Sequence, residues 1–132
     1  MDVPLKYSIL YVDDEEINLD LFKINFKKEF DVHLAISASE GMRLLKDYPE
    51  ISVIISDLKM PEINGLEFID MIKVKYPEKI CIILTGFIDH DIMYACKNEE
   101  NVFNYIVKPW EKDELKVIID SAYLEFCRQM HV

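Results

Sequence analysis

Asp13 and Asp14 are adjacent and follow an apolar run, Ile9 to Val12. Asp57 follows a second run, ISVIIS at 51–56, while Thr85 and Lys108 close two more. Three carboxylates brought together repel one another and raise each other's pKa unless a cation neutralises them. Mg²⁺ suits such hard oxygen ligands and keeps several waters when only one or two carboxylates bind it. A carboxylate is also a competent nucleophile toward phosphorus. Lys108 would neutralise phosphoryl oxygens as a point charge, and Thr85 would donate a hydrogen bond. Phosphoryl transfer asks mostly for positioning and charge stabilisation, which these groups supply. Each residue alone has a plainer explanation. An isolated Asp-Asp pair reads as a helix-start acid pair favoured by the macrodipole. Asp57 alone fits a turn, and Lys108 fits a solvated loop lysine. The chemical reading requires that they all sit at one end of one sheet.

The elements needed for that are present in the pattern. Residues 7–12 read as a strand, and 15–29 as a helix with Ile17, Leu21 and Ile24 on one face. Residues 32–36 form a second strand. Ser37 and Glu40 fit a capping box ahead of a helix carrying Met42 and Leu45. The third strand is 51–56, and Asn64 can cap a helix carrying Leu66, Ile69 and Ile72. KICIILT at 79–85 is the fourth strand, a weaker helical pattern covers roughly 89–98, and FNYIV at 103–107 is the fifth strand. The last helix carries Leu115, Ile118, Ala122 and Phe126. Strands apolar on both faces and separated by helices predict a parallel sheet covered on both sides, a doubly wound α/β domain. In such sheets ligands sit outside the carboxyl ends of the strands. Strands one, three, four and five end in Asp13–Asp14, Asp57, Thr85 and Lys108, so the candidate groups converge there.

Composition sets outer limits. The length of 132 residues suits one compact domain, and a hydrophobic content of 51% supports a real core rather than disorder. Three glycines argue against a glycine-rich phosphate loop. The formal net charge of −10 disfavours direct binding to nucleic acid or an anionic membrane, both of them polyanions. Cys81, Cys96 and Cys127 have no metal-like spacing and read as reduced packing thiols of a cytoplasmic protein. His33, His90 and His131 are scattered and read as incidental. The first residues lack the regions of a signal peptide, and no apolar run approaches the roughly 20 residues of a membrane span.

Four stretches in order, VDDEE (12–16), ISDLKMPEINGLEF (55–68), ILTGF (83–87) and YIVKPW (105–110), each close a strand of this pattern. Together they resemble a response regulator receiver domain, of the chemotaxis-receiver type, over about 6–126. The resemblance implies a flavodoxin-like (βα)5 sandwich with strand order 2-1-3-4-5, as one receiver over 1–132. It implies that Asp57 accepts a phosphoryl group from a histidine kinase or a histidine phosphotransfer protein. Asp14, Asp57 and the backbone carbonyl of Lys59 would bind Mg²⁺, with Asp13 holding a metal-bound water. Lys108 would pair with Asp57 and then with the phosphoryl group, and Thr85 would hydrogen-bond it. Thr85 and Tyr105 would be the switch pair, and Lys108–Pro109 a cis peptide, which proline makes accessible. Such a protein catalyses only its own phosphorylation and dephosphorylation and is otherwise no enzyme.

The output face implied is the fourth helical segment, the fifth strand and the last helix, roughly 88–128. Met93, Phe103 and Phe126 are candidates there for partner or homodimer contacts. Lys59 borders the implied phosphoryl position, where its charge would either hold the phosphoryl oxygens or perturb the attacking water; with the bulky, apolar Phe87 it bears on the acyl phosphate's lifetime, in either direction. Gly86 should leave room for a donor, and Trp110 is expected to pack at the start of the last helix. The chain itself holds no output domain, so it is read as a stand-alone receiver or part of a longer regulator. A haloacid-dehalogenase-type phosphatase would put its nucleophile first in the chain with an acid two residues on; here Lys59 stands there. A flavodoxin-like redox protein would need a phosphate loop where Asp13 and Asp14 would repel the phosphate. A phosphorylation-independent binding module would not need the intact acids.

Overall fold

The computed structural model describes residues 6–86 and 99–130. Five strands form one parallel sheet in the order β2-β1-β3-β4-β5. They are β1 (Ser8–Val12), β2 (Asp31–Ala35), β3 (Val53–Asp57), β4 (Ile80–Thr85) and β5 (Asn104–Val107). The helices are α1 (Glu16–Phe26), α2 (Ala38–Asp47), α3 (Gly65–Lys75) and α4 (Lys112–Met130), and a 3₁₀ turn spans Glu99–Asn101. The helical pattern expected at 89–98, with Met93 and Cys96, lies outside the described residues, as do Phe87, His90 and His131.

The sheet divides the interior in two because alternate strand residues point to opposite faces. Leu10, Val12, Ile54, Cys81 and Ile83 pack with Phe68, Ile69 and Ile72 of α3 and with Leu45 of α2. Ile9, Tyr11, Val53, Ile55, Ile82 and Leu84 pack with Leu19, Phe22 and Phe26 of α1 and with Leu115, Ile119 and Ala122 of α4. All residues of β1, β3 and β4 are buried, the polar Ser8, Ser56, Asp57 and Thr85 among them, as expected of central strands covered on both faces. β2 and β5 are the sheet edges and are only partly covered. Complete burial of one Leu or Ile side chain contributes about 1.5–3 kcal/mol, so the three central strands hold most of this stabilisation.

One expectation about α1 is overturned. Ile17, Leu21 and Ile24 do lie on one face, but it is the outer one, with Ile17 and Ile24 each 65% exposed. The buried face is Leu19, Phe22 and Phe26. Both sets fit a 3.6-residue period, so periodicity alone cannot choose between them. The aromatic set wins because each ring buries more area and meets other rings. Phe22 stacks on Tyr11 with centroids 4.3 Å apart, and Phe26 meets Phe30 at 5.7 Å and Trp110 at 5.5 Å. Trp110 therefore packs against α1, rather than merely at the start of the last helix.

The caps match expectation to different degrees. Asn64 accepts from the Glu67 N–H at 2.9 Å while Glu67 accepts from the Asn64 N–H at 2.9 Å, a complete capping box. Ser37 accepts from the Glu40 N–H at 3.1 Å, the first half of such a box. Between Asp57 and α3 the chain turns through Glu62, which has φ of 73°. That left-handed region costs a long side chain roughly 1 kcal/mol and is better tolerated by Asn. Glu62→Asn is therefore expected to stabilise the protein by about 0.5–1 kcal/mol. The check is a urea titration, in which the midpoint should rise while the slope stays constant.

Candidate functional site

The site lies beyond the carboxyl ends of β1, β3, β4 and β5. Parallel pairing brings those ends level. Ile55 pairs with Tyr11 and with Ile82, and Thr85 pairs with Val107, so the residues after each strand emerge together. Asp13, Asp14 and Asp57 each bring one carboxylate oxygen within 4.8 Å of the other two. Asp13 is fully buried, Asp57 is buried and Asp14 is half-buried.

Asp13 is the most heavily bonded of the three. Its Oδ2 accepts from the Tyr11 hydroxyl at 2.7 Å, the Asn18 amide at 3.1 Å and the Lys108 ammonium at 3.3 Å. Its Oδ1 accepts from the Glu15 N–H at 3.0 Å, which also satisfies a donor at the entry to α1. Burial and the neighbouring Asp13 charge push the Tyr11 hydroxyl pKa far up, so it is a donor throughout the working pH range.

Asp57 is held by main chain and by charge. Its Oδ1 accepts from the Leu58 N–H at 3.0 Å and lies 3.4 Å from Lys108 Nζ. Burial raises its carboxyl pKa; Lys108 opposes that rise and Asp13 adds to it. Behind Asp57, Gly65 opens α3 so close to the strand that a Cβ would stand 2.3 Å from the Asp57 carbonyl oxygen. The Gly65 N–H also donates to the Leu58 carbonyl at 2.8 Å, tying the loop that follows Asp57 to the helix start.

Lys108 bridges two of the acids, at 3.3 Å from Asp13 and 3.4 Å from Asp57. Its backbone N–H donates to the Thr85 carbonyl at 2.6 Å, extending the β4–β5 pairing by one residue. The Lys108–Pro109 peptide is cis. Thr85 is buried at the end of β4. Tyr105 pairs beside Ile83 and so shares a sheet face with Thr85, packed against the core beneath α2 and α3. Lys59 is exposed two residues past Asp57. Among the described residues, an added Cβ on Gly86 would meet nothing within 4 Å. Cys81 is core, its thiol pushed up to about 12 by burial.

Asp13, Asp14 and Asp57 bring three carboxylates together, with the Lys108 ammonium against two of them. Clustered carboxylate oxygens are the donor set that a hard divalent cation takes, so the residues fit Mg²⁺. Sequence reasoning missed Tyr11, Asn18 and Gly65. Tyr11 lies two residues before Asp13 and therefore on its face of the strand, a signal that was available. The Gly65 approach depends on how α3 meets β3, which no local pattern records.

The model of the response regulator receiver domain matches residues 9–120. The hydrogenase transcriptional regulatory protein HoxA of Cupriavidus necator is 36% identical over 108 residues, which is 82% of this chain and 22% of that protein. The chain thus spans under a quarter of that relative. A response regulator receiver domain protein from Clostridium thermocellum is 31% identical with a TM-score of 0.80, covering 94% of this chain and 97% of the other. The response regulator TrrA of Thermotoga maritima, solved in complex with Mg²⁺-BeF, is 28% identical with a TM-score of 0.76 over 89% of this chain and 99% of its own. Fold, acidic cluster and family model agree: the chain belongs to the response regulator receiver family.

Proposed function

We propose that the protein accepts a phosphoryl group on Asp57 from a histidine kinase or a histidine phosphotransfer protein and relays that event through Thr85 and Tyr105. The observation that carries the reading is Lys108 spanning Asp13 and Asp57 within a cluster of three acids. An Asp57 carboxylate oxygen attacks phosphorus, the phosphorus–nitrogen bond of the donor histidine breaks, and the imidazole leaves with the electron pair. Asp13, Asp14, Asp57 and the Lys59 carbonyl would hold Mg²⁺, which when bound offsets the clustered negative charge and stabilises the transferring phosphoryl oxygens. Lys108 turns from Asp57 to the new phosphoryl oxygens, and the Thr85 hydroxyl donates to one of them. Water later attacks phosphorus, releasing inorganic phosphate and restoring Asp57.

The readout follows from where these groups sit. Thr85 and Tyr105 share a sheet face, so a movement of Thr85 changes the space open to the tyrosine ring. β5 is an edge strand; Phe103, just before it, and Val107, its last residue, are 40% and 47% exposed. That edge and α4 are the proposed surface for an output partner or a second copy of the chain. The domain reading, one receiver over 1–132 with its core at about 6–126, belongs to the same proposal. Among the described residues no helix is long and apolar enough to cross a membrane.

The test is incubation with acetyl phosphate and Mg²⁺ followed by intact mass. Wild type is expected to gain one phosphate that Asp57→Asn does not gain and that EDTA prevents. An unmodified wild type, beside a control receiver that is labelled by acetyl phosphate, would move the reading to a module that works without phosphorylation.

A further inference from the structure

Asp13 has more hydrogen-bond donors than a simple cation ligand needs. Three of them, from Tyr11, Asn18 and Lys108, converge on Oδ2. A carboxylate oxygen has two lone-pair positions, so Oδ2 is saturated. Oδ1 accepts only the Glu15 N–H among the described contacts and keeps a lone pair for a cation or its water.

The three donors on Oδ2 differ in how firmly they are held. Lys108 is shared with Asp57 at 3.4 Å, and in the proposed reaction it turns away to the phosphoryl group. Asn18 is half-buried on the first turn of α1. Tyr11 is 1% exposed, sits on β1 two residues before Asp13 and therefore on the same face, and is clamped by Phe22 at a centroid distance of 4.3 Å and an angle of 17°. Its hydroxyl is the one donor that is neutral, buried and fixed by ring packing. Such a group holds a carboxylate in place without competing with the cation for charge.

We propose that Tyr11 is a positioning residue of the cation pocket, its hydroxyl locking the Asp13 carboxylate so that Oδ1 is the oxygen left for the cation. This rests on the Mg²⁺ reading of the site given above. Groups that orient a metal-binding carboxylate typically cost about 10–100-fold in metal affinity when removed. Tyr11→Phe keeps the ring that stacks on Phe22 and deletes only the hydroxyl.

The experiment is calorimetric titration of MgCl₂ into wild type, Tyr11→Phe and Ile72→Val at a temperature where all three are folded by circular dichroism. Ile72 is buried in the other core, across the sheet, and serves as a destabilised control. Tyr11→Phe is expected to weaken Mg²⁺ binding about tenfold, while Ile72→Val stays within about twofold of wild type. Unchanged or tighter binding by Tyr11→Phe would overturn the inference, as would an equal loss in Ile72→Val. If wild type itself takes up no Mg²⁺, the reading of the site fails and this inference with it. If wild type binds and Tyr11→Phe binds equally well, the inference alone fails.

Discussion

Gly65→Ala is expected to destabilise the protein by about 3 kcal/mol or more and to remove phosphorylation of Asp57, because overpacking against backbone has no rotamer escape. The added Cβ would stand 2.3 Å from the Asp57 carbonyl oxygen and 3.1 Å from its carbonyl carbon. Both are main-chain atoms of the strand that carries the proposed acceptor. Relief requires moving either the end of β3 or the whole of α3. The first displaces Asp57, and the second breaks the bond from the Gly65 N–H to the Leu58 carbonyl. The other two glycines provide an internal scale. A Cβ on Gly41 would meet the Phe68 ring at 2.8 Å, a side chain able to shift, so Gly41→Ala should cost about 1–3 kcal/mol. Among the described residues a Cβ on Gly86 meets nothing, and Gly86→Ala should change stability by less than about 0.5 kcal/mol. Urea denaturation of the three variants checks the order. A Gly65→Ala protein as stable as Gly86→Ala would show that α3 is not pressed on the strand.

Asp57→Asn should have the opposite sign when no metal is present. In EDTA near neutral pH it is expected to stabilise the protein, since a carboxyl harder to ionise when folded costs stability once it is charged. The cause is the raised carboxyl pKa of Asp57, from burial first and from Asp13 in addition, only partly offset by Lys108. Unfolded, the carboxyl ionises near 3.8; folded, it holds its proton to higher pH. Between those values the folded chain binds the extra proton, so stability falls as pH rises through the window. The contribution is fully present below 3.8 and lost above the folded value. Asp57→Asn abolishes that loss, and its advantage over wild type should shrink as pH falls toward 4. Added Mg²⁺ should reverse the ranking by stabilising wild type more than the variant. Thermal melts with and without Mg²⁺ across acid pH check both halves. An Asp57→Asn protein less stable than wild type in EDTA would mean that the Lys108 attraction exceeds the cost of burial.

The β strands were legible because a strand buried on both faces must be mostly apolar, and the cores of the runs 51–56 and 79–85, residues 53–55 and 80–84, are entirely so. The convergence of Asp13, Asp14, Asp57 and Lys108 followed from the same reasoning, since a parallel sheet levels the ends of its strands. The face of α1 was not legible, because Ile17, Leu21 and Ile24 match a helical stripe as well as Leu19, Phe22 and Phe26 do. What decides is the partner surface: Tyr11, Phe30 and Trp110 come from three other segments and together demand rings. The strained turn at Glu62 and the contact at Gly65 have the same character. Each is imposed by where two elements meet rather than by the sequence of either. The networks on Asp13 lie between these extremes, since Tyr11 could be placed by strand alternation but Asn18 and Lys108 arrive from elsewhere.

The chain has a single tryptophan, and it lies two residues beyond Lys108, with its ring against Phe22 and Phe26. Indole emission from this protein therefore comes from one place, the hinge between the edge of the sheet and its last helix. If Lys108 turns from Asp57 to a phosphoryl group as proposed, the backbone two residues on is the first place such a shift would be felt, and the indole emission is expected to change with it. Emission recorded while Mg²⁺ and acetyl phosphate are added would then serve as a gauge built into the chain, without a dye or a label.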